Sequence, residues 1–273
     1  MPSKLSSESS WDFRSSQELS VSDTYSQIGY VIADADLQYL DQMKNTIETA
    51  FDEFLSTHKK KKTTLMNAHK VVSNGESNDV RLYIMHKICD GTTFHKNYYN
   101  AAKNIIYDLC GNELAMQTRP GLSLNLPNNP NDVLPIHADT WNGVSPFELN
   151  IWIPFVDCSN SMCLYILKRE KYNERLRNSR ELLKLSSDEL FNELRGDLTW
   201  IPIEYGKILA FDQSLPHGYS LNVEAFSHWS MNCRFKGLHT PYWDKKLGEY
   251  FMPITVKNCT RLGMNYEHPE HWT

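Results

Sequence analysis

No run of this 273-residue chain approaches the ~20 consecutive apolar residues that a membrane-spanning helix needs, so a soluble protein with no membrane span is expected. The opening residues, "MPSKLSSESSWDF", are polar and Ser-rich and lack the apolar stretch of a secretory signal, which points to a cytoplasmic address. The six cysteines form no CxxC pair and no metal-knuckle spacing, so free thiols in a reducing compartment are expected, without chemistry of their own. Basic residues are not in excess: 28 Lys and Arg stand against 33 Asp and Glu, a net charge of −5. A phosphate-binding surface normally shows a basic surplus, so nucleic acid is not an expected partner. The one basic block, "HKKKK" (58–62), reads as a solvated loop between helices. Internal repeats are missing too, which removes solenoids and propellers.

What is present is an ordinary globular composition, 41% hydrophobic and 12% aromatic, enough to bury a sizeable core. The first third has helical texture. Residues 34–58 carry Leu37, Leu40, Met43, Ile47, Ala50, Phe51 and Phe54 at spacings of three and four, with Asp34 or Asp36 as N-cap. A short strand over 25–34 precedes this helix, and a second helix over 94–109 stops at Gly111. Beyond residue 112, short β-branched and aromatic runs alternate with Pro, Asn and Gly: 116–126, 147–156, 162–167, 199–205, 207–212, 228–235 and 250–256. Such spacing predicts an antiparallel sandwich or barrel. The charged, helix-favouring stretch 169–196 interrupts it as an insertion between strands. The expected organisation is a single domain over 1–273. Residues 1–112 form a helical support, 113–237 a β core with its insertion within 169–198, and 238–273 an extension. The aromatic tail 247–272 either covers one end of the barrel or joins two copies in a homodimer.

The stretch "LPIHADTWNG" (134–143) places His137 and Asp139 two positions apart. In extended backbone both then point to one side and can offer a nitrogen and an oxygen to one ion. Two ligands are insufficient. Two histidines and one carboxylate form the facial triad of non-haem Fe(II) sites, which leaves positions open for substrates. His217, in "GKILAFDQSLPHGYSLN" (206–222), is the best third member, since it follows a strand and lies four strand-like runs later. The other histidines His58, His69, His86, His95, His239, His268 and His271 read as surface or core residues. From His228 to Lys236 the chain alternates: His228, Ser230, Asn232, Arg234 and Lys236 on one face, Trp229, Met231, Cys233 and Phe235 on the other. The polar face meets either solvent or a barrel lumen, and in a lumen Arg234 offers a fork for a carboxylate. Gln117, Arg119, Trp141, Asn142, Asn150 and Trp152 fall near the mouth in sequence terms. An aromatic with amide neighbours suits a polyhydroxylated ligand such as a sugar.

Taken together, "IGYVI" (28–32), "PIHADTW", "CLYILKRE" and "GKILAFDQSLPHGYSLN" resemble the Fe(II)/2-oxoglutarate-dependent oxygenases, in particular the phytanoyl-CoA-dioxygenase-like branch and the oxygenases of bacterial carbohydrate-biosynthesis clusters. The resemblance runs from about Tyr25 to Gly237. It implies a mainly β (α+β) fold, a double-stranded β-helix of jelly-roll or cupin-like form with helices packed on one face. It further implies His137, Asp139 and His217 as Fe(II) ligands, Arg234 as the clamp on the distal carboxylate of 2-oxoglutarate, and Asn125, Tyr219 and Ser220 as further cosubstrate contacts. The implied reaction consumes O₂ and 2-oxoglutarate, releases succinate and CO₂, and hydroxylates a small polar metabolite, such as a carbohydrate. Related halogenases carry a small residue at the Asp139 position, so the resemblance implies hydroxylation or another oxygenase outcome. The residues alone also admit a cupin-like metal-dependent isomerase, epimerase or hydrolase without 2-oxoglutarate, and a non-catalytic β-barrel binding protein.

Overall fold

The computed structural model describes residues 12–269; the leading polar segment up to residue 11 and His271 lie outside them. Helix α1 (Ser16–Ile28) is followed by strand β1 (Tyr30–Asp34), so the strand expected over 25–34 is confined to its second half. Gly29 makes the break, closing α1 in the left-handed conformation at φ 92°. Helix α2 (Leu37–Thr57) takes Asp36 as its cap, the carboxylate accepting from Gln38 N at 3.0 Å. Its buried stripe of Leu40, Met43, Ile47, Ala50, Phe51, Phe54 and Leu55 has the period of an amphipathic helix. Helix α3 (Ser77–Ile88) was not legible in the pattern, and the helix expected over 94–109 is two, α4 (Thr93–Ala101) and α5 (Lys103–Cys110).

The remaining strands are β2 (Leu114–Gln117), β3 (Gly121–Asn125), β4 (Leu134–His137), β5 (Glu148–Pro154), β6 (Leu164–Leu167), β7 (Leu198–Ile201), β8 (Lys207–Phe211), β9 (His217–Tyr219), β10 (His228–Gly237) and β11 (Phe251–Thr255). They form a seven-stranded sheet, β1-β8-β5-β10-β2-β11 with β3 also on β10, and a four-stranded sheet, β4-β9-β6-β7. All ladders between these strands are antiparallel. Among the described residues no ladder joins the two sheets, so the fold is an α+β arrangement of two antiparallel sheets, the sandwich form of the expected architecture, without barrel closure.

The central strands of the large sheet, β5, β8 and β10, are largely buried on both faces. One row of β10 packs on the helices: Trp229 meets Phe51 edge-on at 5.3 Å, and Phe235 stacks on Tyr98 at 6.2 Å. Tyr98, fully buried, donates its hydroxyl to Ile151 O at 2.8 Å. Because strand side chains alternate, the other row of β10 must face the small sheet. Behind the small sheet, the insertion between β6 and β7 covers Ile136, Tyr165 and Leu167 with Leu176, Leu190 and Leu194. It is a chain of short turns ending in a helix, Ser187–Leu194, capped by Ser186 and Glu189. The tail adds β11 to the edge of β2 and places the Tyr250 hydroxyl against Arg234 of β10. Among the described residues, no helix is long and apolar enough to cross a membrane.

Candidate metal centre

The site is built where two strands of the small sheet end side by side. Ala138 keeps extended backbone (φ −116°, ψ 135°), so His137 and Asp139 point to the same side before the chain turns at Asp139–Asn142. Asp139 N donates to Gln213 O at 2.9 Å, which pins the turn to the loop before β9. In the β4–β9 ladder His137 lies opposite His217, with ring centroids 4.5 Å apart. Gly218 allows this close pairing, since a Cβ there would come within 2.4 Å of Leu134 O. One ligand atom from each of His137, Asp139 and His217 then lies within 4.8 Å of the others.

Both imidazoles are held by the same local device. His137 Nδ1 is 2.9 Å from Pro135 O, and His217 Nδ1 is 2.8 Å from Leu215 O. A carbonyl only accepts, so each Nδ1 carries the hydrogen and each Nε2 keeps its lone pair toward the common centre. Burial pushes the His217 pKa down to about 4 and keeps that ring neutral. Burial also opposes a charge on His137, but the Asp139 carboxylate 3.5 Å from its Nε2 overrides it and raises its pKa. Asp139 itself is lifted by burial, yet His137, Arg234 and His217 together hold it well below the usual carboxylate range. Two imidazole nitrogens and one ionised carboxylate, converging from one side, suit a divalent cation of the first transition row and leave its other positions open.

Arg234 reaches this centre from the opposite sheet. Its Nη2 donates to Asp139 Oδ2 at 2.6 Å, its Nε to Gln213 Oε1 at 2.7 Å, and its Nη1 to Tyr250 OH at 2.6 Å. Every guanidinium nitrogen of the side chain that the sequence offers as a carboxylate clamp is thus partnered, with Asp139 among the partners. Behind it, Gln213 donates to Glu148 Oε2 at 3.1 Å and to Ser145 O at 3.2 Å. Burial raises the Glu148 pKa despite that bond. The polar row of β10 is therefore interior: His228, Ser230 and Lys236 are each at most 1% exposed.

The other sequence candidates scatter. Tyr219 is interior, its hydroxyl accepting from Trp152 Nε1 and lying 3.4 Å from Ser230 Oγ. Asn125 is buried but donates to Asp132 O at 2.7 Å, a loop-stabilising bond. Ser220, just past β9, is half-buried. Gln117 accepts from Arg234 N at 3.1 Å, whereas Arg119 is exposed and outside the group. Trp141 and Asn142 lie on the exposed turn after Asp139, and Asn150 is buried with its Oδ1 unpartnered. Sequence reasoning missed Gln213, Glu148 and Tyr250. All three lie inside stretches that were singled out (147–156, 206–222 and 250–256), but no periodicity marks them as inward.

No family model matches the chain, and no curated protein is detectably similar in sequence. Solved structures do match. A non-haem monooxygenase, ThoJ in its nickel complex, superposes with a TM-score of 0.56 at 8% identity, covering 88% of this chain and 85% of that one. The non-haem alpha-ketoglutarate-dependent carbocyclase SnoK from nogalamycin biosynthesis gives 0.52 at 13% identity, over 89% and 97%. AviO1 from Streptomyces viridochromogenes Tue57 gives 0.50 at 15% identity, over 83% and 97%. The chain has their fold. At such identities chemistry is carried by the residues of the site rather than by the likeness.

Proposed function

We propose that this chain is an Fe(II)/2-oxoglutarate-dependent oxygenase, acting as one domain on a small-molecule substrate. The observation that carries the reading is the convergence of His137, Asp139 and His217 within 4.8 Å, in a fold shared with non-haem oxygenases. When bound, Fe(II) and 2-oxoglutarate supply oxidation of an unactivated C–H bond by O₂, with succinate and CO₂ as coproducts. His137, Asp139 and His217 would hold the ion, and Arg234 and Gln213 would keep Asp139 aligned. Trp152, Phe211 and Tyr219, all at most 5% exposed, would keep bulk water from the interior. The exposed turn carrying Trp141 and Asn142 beside Asp139 supports a polar, polyhydroxylated substrate such as a carbohydrate or sugar-containing intermediate. The Asp139 carboxylate, as third ligand, supports hydroxylation as the outcome.

The test is anaerobic addition of Fe(II) and 2-oxoglutarate to the purified protein. A visible charge-transfer band that vanishes in His137→Ala is the expected result, because that band requires 2-oxoglutarate chelated at open positions of the ion. An unchanged band in His137→Ala would discard this site. Turnover without O₂ or 2-oxoglutarate would move the protein to the metal-dependent isomerase or hydrolase class.

A further inference from the structure

The interior face of β10 ends in an imidazole that nothing satisfies. His228 is 1% exposed, and neither its Nδ1 nor its Nε2 has a hydrogen-bond partner. Buried polar groups are nearly always paired, so two orphan nitrogens on one ring are a strong sign of an absent partner. The ring lies between Tyr219, at 5.2 Å, and Trp152, at 5.9 Å. Across the β10–β3 ladder Asn125 faces His228 and Ser123 faces Ser230, so these four side chains share the inner face. A cavity of about 360 Å³, lined by Ser123, Asn125, Leu134 and Tyr219, abuts this end of the interior.

The two cations of the same row are occupied elsewhere. Arg234 is held by Asp139, Gln213 and Tyr250, and Lys236 donates to Pro241 O at 2.7 Å beneath the Tyr242 ring. On this row the buried nitrogens left without a partner are those of His228. The charge balance favours an anion arriving there with a metal. A divalent ion with Asp139 and Arg234 leaves a net charge of +2 in the interior, which a dianion neutralises without any further cation. A neutral imidazole then suffices as donor, and burial keeps it neutral, its pKa pushed down to about 3.

Resting on the oxygenase reading above, we propose that His228 is the anchor for the distal carboxylate of 2-oxoglutarate, flanked by the hydroxyls of Ser230 and Tyr219, in place of Arg234. The anchor is a single N–H donor with two flanking hydroxyls. It recognises a carboxylate by charge-assisted hydrogen bonds rather than by an ion pair.

The experiment is equilibrium binding to the Mn(II)-loaded protein by calorimetry, with 2-oxoglutarate against 2-oxopentanoate, which has the same chain length but ends in a methyl group. Wild type is expected to prefer 2-oxoglutarate by roughly 10- to 100-fold, the range for a hydrogen bond to a charged group. His228→Leu should lose that preference by weakening 2-oxoglutarate alone, His228→Gln should keep part of it, and Mn(II) affinity should stay unchanged in both. Equal 2-oxoglutarate affinity in wild type and His228→Leu overturns the anchor and leaves the oxygenase reading standing. Wild-type, Mn(II)-loaded protein that binds no 2-oxoglutarate overturns the oxygenase reading, and the anchor with it. A second readout needs no folded variant: in Zn(II)-loaded wild type, 2-oxoglutarate but not 2-oxopentanoate should shift one imidazole ¹⁵N resonance pair from a buried, unbonded position. Failure of any such pair to move, with binding confirmed by calorimetry, rejects the role of His228.

Discussion

Two residues of the polar row of β10 lie in the interior and are differently satisfied. Toward one end Arg234 has partners on every guanidinium nitrogen, and at the other end His228 has none on either ring nitrogen. The first end is pre-organised without a ligand, since Asp139 is already ionised, aligned and charge-balanced. The second is not, and carries the cost of an unpaired buried ring. The contrast separates residues that build a site from residues that wait for what enters it.

The contrast breaks most completely at Asp139. Asp139→Leu leaves Arg234 buried without a counter-charge and should cost about 3–5 kcal/mol in the metal-free protein, read from urea midpoints. Stoichiometric Mn(II) binding should vanish in the same variant. Arg234→Met attacks the same pair from its other side. Loss of a group that orients a metal ligand should weaken Mn(II) by roughly 10- to 100-fold in a competition titration.

Acid should strain the two buried neutral imidazoles instead, one in each region. His228 and His217, with pKa values depressed to about 3 and about 4 from an ordinary 6.5, stay neutral in the fold but take up protons when unfolded. Their stabilisation is full above pH 6.5 and is lost as pH falls toward 4, at about 2 kcal/mol per ring by pH 5. His137, whose pKa is raised, works in the opposite sense and offsets part of this. The urea midpoint of the metal-free protein should fall between pH 7 and pH 5, and fall less in His228→Leu; an identical slope would mean that His228 is paired in solution. The smallest effect is expected at Arg119, which is exposed and touches neither end. Arg119→Ala should change stability by less than about 0.5 kcal/mol and leave Mn(II) affinity alone.

Much of this architecture could be read from spacing, and the failures have identifiable causes. The stripe of α2 and the alternation of β10 are properties of one segment's own periodicity, and both appear in the structure, except that Leu37 at the head of the stripe is exposed. The division of the 94–109 helix at Ala102 left no trace in composition, because good helix formers continue through the break. Helix α3 escaped notice because Leu82, Tyr83 and Met85 fall between its buried residues Val80, Ile84 and Ile88 and blur the stripe. Arg234 was correctly placed on the polar row, but its contacts could not be named, because Asp139 and Tyr250 approach from segments distant in the chain.

By itself the sequence determined which side chains share a face: His137 with Asp139, and His228 with Ser230 and Arg234, because a strand's period of two is a property of its own backbone. Only the tertiary structure decided what those faces meet. Pairing of β4 with β9 set His137 opposite His217, and the stacking of two sheets turned the polar row of β10 inward. Strand order and sheet stacking also gave Asp139 its arginine and left His228 with no partner. Those outcomes depend on contacts between segments far apart in the chain, which local spacing does not encode.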